Sequence, residues 1–348
     1  MKTKYMVIGT FLIMILSVSC FSPWRGDEGN LTIVWGDSSS PRYNGTFVDP
    51  EELSAPSSFY EISLTGPGDA IHEVVDYSTA SSKTFSVVPG LWTITIKGFF
   101  FNFQGLDHEL RVMGIEQVEV RPGKNSPKKI KMYTANVVYS WSDLNGLIIT
   151  NDGNYDPEYN AREELIILEY DEYGHFDLYN DGEPIYITRP VIIIAENDIT
   201  ITRTSDESAP IFYVTDGGIL TLGLPGMAGT LTFDSLGNES VSQIVVNSSW
   251  DTDNSVYIPS KLVMNKGVTI KNGDLYFNCN GVYVDVESIF IMNGGAITGN
   301  HARSGGMGDY GVTGGGVFIS HGATFIHNGG AVTGNTPNNI YIWKEEDY

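Results

Sequence analysis

Two acidic residues in the most regular part of the sequence are the first candidates for chemistry. Asp285 and Glu287 are two positions apart, a spacing that places both side chains on one face of a β-strand. Glycosidases use paired carboxylates, and lyases need an acid with a basic side chain nearby. The equivalent positions in a second copy of this segment are Ser320 and Gly322. A solvated acidic pair is therefore favoured over a catalytic one.

An acidic segment further upstream has oxygen-bearing side chains at alternating positions, as at the start of a calcium loop. These are Asp152, Asn154 and Asp156, followed by Glu158. An EF-hand requires glycine at the sixth position of the loop, where this chain has Pro157. An acidic loop is favoured over an irregular calcium site.

Three histidines, His301, His321 and His327, lie near the repeated segment, and clustered histidines bind zinc. His321 and His327 are six residues apart, which is not a recognised ligand spacing, so surface or turn positions are expected. The sequence contains no phosphate-binding loop ending in Lys-Ser or Lys-Thr, no Gly-x-Ser-x-Gly elbow and no Cys-x-x-Cys. We predict no catalytic, cofactor or metal site, and these absences favour a non-enzymatic protein without excluding an enzyme.

The N-terminus has the order of an export signal. Lys2 and Lys4 precede an uncharged apolar run over residues 5–18, and small residues lead to Cys20. The run is 14 residues long, whereas roughly 20 are needed to span a bilayer core. A cleaved signal is therefore favoured over a retained transmembrane helix.

The residues before Cys20 resemble a bacterial lipobox. The usual pattern places Leu three residues before the cysteine, and here Leu16 lies four before it. The resemblance implies a lipoprotein signal peptide over residues 1–19 and a lipid on Cys20. Residues 20–29 are interpreted as a tether, because the residues after Cys20 lack any apolar period. We expect the protein to be exported and anchored in the bacterial envelope, at the outer membrane or cell surface. Ordinary signal cleavage is the alternative.

The charge balance restricts the partners. The chain of 348 residues has 20 basic and 42 acidic residues and a formal net charge of −22, so nucleic acid is not expected as a partner. Cys279 is the second of two cysteines, and lipidation of Cys20 would leave no intrachain disulfide. Stability must then come from a hydrophobic core, which a chain of this length can bury.

Residues 30–135 alternate short β-rich runs with turn residues. This spacing predicts an antiparallel β-sandwich with strands at residues 31–35, 59–64, 83–88, 92–97, 118–120 and 130–132. The two runs that flank Pro89-Gly90 resemble a prealbumin-like, carboxypeptidase-regulatory-like module. The resemblance implies a stalk or spacer.

The segment 136–184 is expected to begin the next unit. Ser140 is a suitable N-cap and Asp143 lies in the first turn, so a short helix is predicted to cap the end of a solenoid. The acidic, Tyr-rich residues 151–183 are interpreted as an irregular first coil with loops.

A repeat occupies the C-terminal part of the sequence. Residues 281–300 realign with residues 316–335 at an offset of 35, and eleven of the 20 positions are identical. Two less regular copies precede them, because residues 264–272 match 292–300 at an offset of 28 and residues 212–220 match 317–325. Each copy contains strand-sized runs separated by Gly or Asn, which is typical of a solenoid.

This pattern predicts an all-β protein: an N-terminal β-sandwich followed by a right-handed parallel β-helix over residues 185–348, with about seven coils. Gly294-Gly295 would let the chain turn sharply. Asn293, Asn300 and their counterparts tolerate left-handed conformations and can stack in ladders between coils. Residues 301–315 are expected to bulge as a Gly-rich loop.

The repeated residues also resemble a known family. Phe290-Ile-Met-Asn and Phe325-Ile-His-Asn fit F-x-x-N, and Gly294-Gly-Ala-Ile and Gly329-Gly-Ala-Val fit G-G-A-[ILV]. Both patterns are similar to the repeats of the polymorphic outer-membrane proteins, a family of autotransported surface adhesins. The resemblance implies binding, with a host matrix protein or a glycan as partner. The translocator barrel of that family is missing before Tyr348, so a different export route is expected.

Together these observations favour a non-enzymatic cell-envelope lipoprotein that presents a β-helix for adhesion or ligand binding. The first alternative is a β-helix polysaccharide lyase or glycosidase, which would need a cluster of acids with Arg or Lys on one coil face. The second alternative is a structural envelope component without a diffusible ligand.

Overall fold

The computed structural model describes residues 28–35, 58–76, 81–102, 107–149, 163–170, 184–202, 209–235, 242–275, 281–302 and 314–343. Within these ranges the protein is all-β apart from one helix, α1 (Trp141–Ile149). No helix in this part of the chain is long and apolar enough to cross a membrane.

The strands form four main sheets and two small pairs. The short N-terminal sheet contains β1 (Gly29–Trp35), β4 (Ser82–Val87), β7 (Gly123–Lys124) and β8 (Lys128–Ile130). The long sheet contains, in spatial order, β28 (Thr324–His327), β24 (Ile289–Met292), β20 (Lys261–Met264), β15 (Ile219–Leu222), β12 (Pro190–Ala195), β10 (Glu164–Leu168), β9 (Tyr133–Val138), β6 (Asp107–Val120), β5 (Gly90–Asn102), β2 (Phe59–Thr65) and β3 (Ile71–Asp76).

The remaining strands belong to the coils. The six-stranded sheet contains β11 (Ile185–Ile187), β14 (Phe212–Val214), β17 (Ile244–Val246), β23 (Val282–Val284), β27 (Val317–Ile319) and β30 (Ile340–Ile342). The five-stranded sheet contains β13 (Ile199–Thr202), β16 (Leu231–Asp234), β21 (Val268–Lys271), β25 (Ala296–Thr298) and β29 (Ala331–Thr333). The small pairs are β18 (Ser249–Asp251) with β19 (Val256–Ile258), and β22 (Asp274–Leu275) with β26 (His301–Ala302).

Two sheets pack face to face at the N-terminus. Leu31 and Ile33 of the short sheet share a buried core with Ile62, Ile94 and Ile96 of the long sheet. The predicted strands near 31–35, 59–64, 83–88 and 92–97 are present, and residues 118–120 are the end of the much longer β6. Strand β3 lies at the sheet edge and was not predicted, because its residues Ile-His-Glu-Val-Val-Asp do not alternate between apolar and polar types. Met132 lies beyond the end of β8.

Helix α1 begins as predicted. The backbone N–H of Asp143 donates to Ser140 Oγ at 3.1 Å, which is the expected N-cap bond. Trp141, Leu144 and Ile148 are spaced along one face and are buried in the core of the coils. The helix therefore covers the N-terminal end of the solenoid.

The coils follow one another through three parallel sheets. From β11 onward the chain passes repeatedly through the six-stranded, the long and the five-stranded sheet. The predicted offset of 35 is the observed register, since Val282 pairs with Val317 and Ile297 with Val332. The earlier copies are confirmed in the same way, because β14 and β27 lie in one sheet and β15 and β28 in another.

One detail of the repeat alignment was wrong. Met264 pairs with Met292 at the predicted offset of 28, but Lys271 pairs with Thr298 at an offset of 27. Asn272 therefore aligns with Gly299 and not with Asn300. Asn272 and Gly299 both have positive φ values, of 60° and 67°, so the left-handed turn aligns these two positions.

The predicted asparagine ladders are present. Asn293 donates to Asn265 Oδ1 at 3.0 Å, and Asn328 donates to Asn293 Oδ1 at 2.9 Å. Asn300 donates to Asn335 Oδ1 at 2.9 Å. The left-handed conformation that Asn293 and Asn300 would tolerate is adopted instead by Gly295 and Gly299.

The N-terminal unit is fused to the coils and does not simply precede them. Strand β6 pairs antiparallel with β9, which in turn pairs in parallel with β10, so one sheet runs from the sandwich into the solenoid. A third buried cluster fills the face between them, with Met113 and Ile115 from β6 against Ile167 and Ile194 of the coils. The predicted spacer is thus packed against the first coils.

Candidate functional site

Asp285 and Glu287 do not share the face of a strand. Strand β23 ends at Val284, and both residues lie in the following turn, which Ser288 closes by donating its N–H to the Asp285 carbonyl at 3.0 Å. Glu287 has a φ of 57°, and Gly322 with a φ of 80° occupies its place in the next coil. The turn, and not an active site, therefore determines the spacing of the two acids.

The three histidines do not come together. His321 lies in the turn after β27, with its ring 6.4 Å from Trp343. His327 lies on β28 in register with the buried Met292 and stacks on Phe325. His301 Nδ1 lies 3.5 Å from an Asp274 carboxylate oxygen on β22. Among the residues that the structure describes, no three His, Cys, Asp or Glu side chains are grouped to hold a metal ion.

Three further predictions fall on residues outside the described ranges. These are the lipidation of Cys20, the state of Cys279 and the acidic loop from Asp152 to Glu158. Most of the predicted Gly-rich loop, residues 303–313, also lies outside them.

The structure does bring two carboxylates together at a place that the sequence did not suggest. Glu169 and Glu196 follow β10 and β12 at equivalent positions of adjacent coils. Lys97 Nζ from β5 lies 2.5 Å from Glu196 Oε1 and 2.6 Å from Glu196 Oε2. Burial, and then the neighbouring Glu196 carboxylate with its hydrogen bond, raise the pKa of Glu169. These residues are far apart in sequence, so no local pattern could reveal them.

The contacts of this pair favour a structural role over a glycosidase site. Retaining and inverting enzymes separate their carboxyl groups by about 5 Å or more, so that the scissile bond or a water fits between them. Lys97 contacts both oxygens of Glu196, and burial and then the neighbouring Glu196 carboxylate raise the pKa of Glu169. The cluster therefore serves as a contact between the N-terminal unit and the coils.

The ion pair between Glu164 and Arg189 is also structural, because it is buried inside the fold. Glu164 and Arg189 are both buried, with Arg189 Nη1 2.5 Å from Glu164 Oε2. Asn136 donates to the other carboxylate oxygen at 2.5 Å. Both oxygens of Glu164 are thus engaged, and the group lies inside the fold.

A different surface concentrates groups that suit ligand binding. The outward-facing central positions of the six-stranded sheet are in register and are mostly aromatic. We call this row the aromatic ladder: Tyr186, Tyr213, Val245, Tyr283, Phe318 and Tyr341. Tyr186 is exposed, whereas Phe318 is buried. Ring centroids are 5.5 Å apart for Tyr186 and Tyr213 and 5.1 Å apart for Tyr283 and Phe318.

Polar groups border the ladder where its strands end. Ser320 Oγ lies 3.3 Å from both the Tyr283 hydroxyl and Asp285 Oδ1, and the Tyr283 hydroxyl lies 3.4 Å from the same carboxylate oxygen. Burial, and then the Asp285 carboxylate, raise the pKa of Tyr213. The carboxylate of Asp285 therefore faces the ladder from the following turn.

A hairpin projects beside this edge. Strands β18 and β19 pair antiparallel, and Trp250 opposes Tyr257 with ring centroids 4.9 Å apart at an interplanar angle of 72°. Trp250 is 52% exposed and Tyr257 is 44% exposed, and the neighbouring Val256 and Ile258 are also exposed. Exposed apolar groups clustered in this way mark interaction sites. We call β18, β19 and their turn the aromatic hairpin.

The tip of the aromatic hairpin is held by one carboxylate. Asp251 Oδ1 accepts from the backbone N–H groups of Asp253 and Asn254, and its Oδ2 accepts from the Asn254 amide at 2.7 Å. Hydrogen bonds from Asn254 lower the pKa of Asp251. The exposed aromatic side chains are therefore carried by an ordered turn.

The aromatic hairpin and the aromatic ladder meet at one corner of the coils. A Cβ on Gly217 would lie 3.0 Å from Ile258 Cγ2, and the adjacent Asp216 is among the charges that influence Tyr213. We call this area, from the aromatic hairpin to the edge of the ladder, the aromatic corner. In the sequence, the aromatic ladder could have been recognised from Tyr283 and Phe318, which occupy equivalent positions of the repeat. The alternation around the Asp253-Asn254 turn was the signal for the hairpin.

The aromatic corner offers exposed rings and carboxylate oxygens, and Ser320 Oγ donates to Asp285 Oδ1 at 3.3 Å. Trp and Tyr combine a large apolar surface with a polar group, which suits contact with a ligand. No protein-family model matches this chain, and no curated protein or solved structure matches it either.

Proposed function

We propose that the protein is a lipid-anchored protein of the bacterial cell envelope that binds an extracellular partner through the aromatic corner and is not an enzyme. The observation that carries this proposal is the exposure of Trp250 and Tyr257 on an ordered hairpin. Trp and Tyr contribute a large share of the energy at binding interfaces when they become buried. A solvent-exposed Trp that is held in place favours binding because little side-chain entropy is lost.

The parallel coils support this role mechanically. Buried residues such as Phe233, Phe290 and Met292 fill the interior, and the asparagine ladders join adjacent coils. A packed interior leaves little freedom to the outer surface, so the aromatic corner is presented by a rigid body. The proposed partner is a host matrix protein or a glycan.

The anchor rests on the N-terminal sequence. The apolar run that ends at Cys20 supports export followed by lipidation. A single acyl chain binds membranes only weakly, so stable anchoring needs more than one chain. Lipidation of Cys20 would hold the coils near the envelope surface.

The test is an array of matrix proteins and glycans probed with the purified full-length protein in mild detergent. The Trp250→Ala variant tests the site, and Leu91→Ala is the matched control because Leu91 is an exposed apolar residue on the N-terminal unit. We expect a partner that is bound by the parent and by Leu91→Ala but lost with Trp250→Ala. Each bound glycan is also incubated for release of oligosaccharides, and product formation would replace this proposal with the enzyme alternative.

A further inference from the structure

We infer that the aromatic corner recognises a neutral glycan chain, an assignment that rests on the proposed binding function of this surface. Matrix proteins, acidic polysaccharides and neutral polysaccharides differ in charge and in the surface they offer to an aromatic ring. The described residues around Trp250 distinguish between these chemistries.

The aromatic geometry suits a sugar ring. The edge-to-face contact with Tyr257 fixes the orientation of the Trp250 indole, and more than half of its surface stays in solvent. The faces of aromatic rings carry partial negative charge, and the C–H groups on one face of a pyranose carry partial positive charge. An uncharged sugar therefore packs on such a ring without the cost of removing a charge from water.

The polar groups of the corner suit sugar hydroxyls. Carboxylates accept hydrogen bonds and have no donor when they are ionised. Asp216 and Glu287 lie in the turns that follow the ladder strands β14 and β23. Asp285 lies beside Glu287. Its Oδ1 already accepts from the Val286 N–H and the Ser320 hydroxyl, so only its other oxygen is counted as an acceptor. Hydroxyl groups donate to these acceptors, which gives a glycan the hydrogen bonds that a purely apolar partner would leave unmade.

The same carboxylates disfavour an acidic glycan. Asp251 and Asp253 add two further negative charges within the aromatic hairpin, and the whole chain has a formal net charge of −22. Uronates and sulfated sugars would bring like charges to this surface, and such contacts reduce affinity. The charge of the corner therefore selects against anionic polysaccharides.

The spacing of the ladder suits a chain and not a single sugar. Tyr186 and Tyr213 lie on adjacent coils with ring centroids 5.5 Å apart, and Tyr186 is 43% exposed, whereas Phe318 is only 8% exposed. Neighbouring strands lie about 4.8 Å apart, a distance comparable with the length of one sugar in an extended glycan. A glycan that contacts Trp250 can therefore continue along Tyr213 and Tyr186.

The experiment is calorimetric titration of the full-length protein in mild detergent with cellohexaose, chitohexaose and hexagalacturonate. We expect binding of at least one neutral hexamer, a loss of about tenfold or more in affinity for Trp250→Ala, and a smaller loss for Tyr257→Ala. Val74→Ala is the control, since Val74 is an exposed apolar residue of β3 on the N-terminal unit. Binding of the neutral hexamer should change little between about 0.05 and 0.5 M salt.

Three results would overturn the inference. Preferential binding of hexagalacturonate, or neutral binding that Trp250→Ala leaves unchanged, would show that the class or the site is wrong. If the array captures a matrix protein and no hexamer binds in the titration, the glycan assignment is wrong but the proposed binding function stands. If no matrix protein and no glycan on the array is bound, the proposed function itself is wrong. Circular dichroism of each variant separates loss of binding from loss of fold.

Discussion

Lys97 on β5 and Glu196 at the end of β12 form an ion pair across the boundary between the N-terminal unit and the coils, with Nζ 2.5 Å from Oε1. They are separated by 99 residues in the sequence. About three quarters of each side chain is removed from solvent, so the pair is less screened than an ordinary surface salt bridge. Glu169 joins the pair from the neighbouring coil.

Replacing Lys97 should loosen this boundary. Lys97→Met leaves Glu196 beside Glu169 without its cation, so we expect a loss of about 1–2 kcal/mol in the free energy of unfolding. Urea titration measures it. Lys83→Met is the matched control, because its pair with Glu73 is more exposed and should cost about 0.5 kcal/mol or less. Equal losses in both variants would contradict a special role for the boundary.

The carboxylate pair should make stability depend on pH. The pKa of Glu169 is raised in the folded protein, first by burial and then by Glu196. A raised pKa means that the folded state holds the proton more tightly, so this contribution is complete below the unfolded pKa and is lost as the pH rises through the folded pKa. Glu169→Gln should flatten the fall in stability above the ordinary carboxyl range. Thermal unfolding measured from about pH 4 to about pH 8 checks this expectation. Glu119→Gln is the control, because Glu119 is exposed on β6 and its replacement should leave the pH dependence of the parent unchanged.

The buried Asn300 should contribute more to the stability of the fold than Asn328, which lies at the exposed end of the other asparagine ladder. Asn300 is buried, accepts from the Gly273 N–H at 3.0 Å and donates to Asn335. Asn300→Ala would leave these buried groups without partners, and we expect a loss of about 2–3 kcal/mol. Asn328→Ala at the exposed end of the other ladder should cost about 0.5 kcal/mol or less. A comparable loss in both variants by chemical denaturation would refute this ranking.

Two glycines should respond in opposite directions to the same change. Gly295 has a φ of 84°, and a Cβ there would lie 2.4 Å from the Val268 carbonyl oxygen, so Gly295→Ala should destabilise the coils by more than about 2 kcal/mol. Gly146 lies within α1 with nothing within 4 Å of a Cβ, so Gly146→Ala should stabilise by about 1 kcal/mol. Differential scanning calorimetry of both variants checks the signs.

Lipidation should depend on one sulfur atom. The intact protein should partition into the detergent phase of a cell extract and incorporate labelled fatty acid, whereas Cys20→Ala should remain in the aqueous phase without label. Cys279→Ala is the control, since it removes the other cysteine of the chain. Label retained by Cys20→Ala would exclude this residue as the anchor.

Local patterns were sufficient for much of the fold. The N-cap at Ser140 and the register between Val282 and Val317 depend on residues that are adjacent in sequence or repeat at a fixed offset. Backbone hydrogen bonding and side-chain periodicity express such information directly. The asparagine ladders followed for the same reason, because equivalent positions of a solenoid lie above one another.

The burial of β10 and β12 on both faces could not be predicted from the residues of these strands alone. Nearly every residue of these strands is buried, whereas β15, β20 and β24 alternate. A parallel strand is expected to be apolar throughout when both faces are covered. The covering residues Met113 and Ile115 come from β6, and nothing in the sequence of β10 identifies that partner.

The sequence by itself determined the β-rich composition, the repeat and its register, the helix cap and the acidic charge, because each is a property of neighbouring or periodically repeated residues. Only the tertiary structure decided that the N-terminal sheet continues into the coils and that Lys97 meets Glu196 and Glu169. It also placed the aromatic hairpin beside the ladder. Such contacts join residues without a shared period, and they arise from the packing of whole sheets, which the order of residues encodes only collectively.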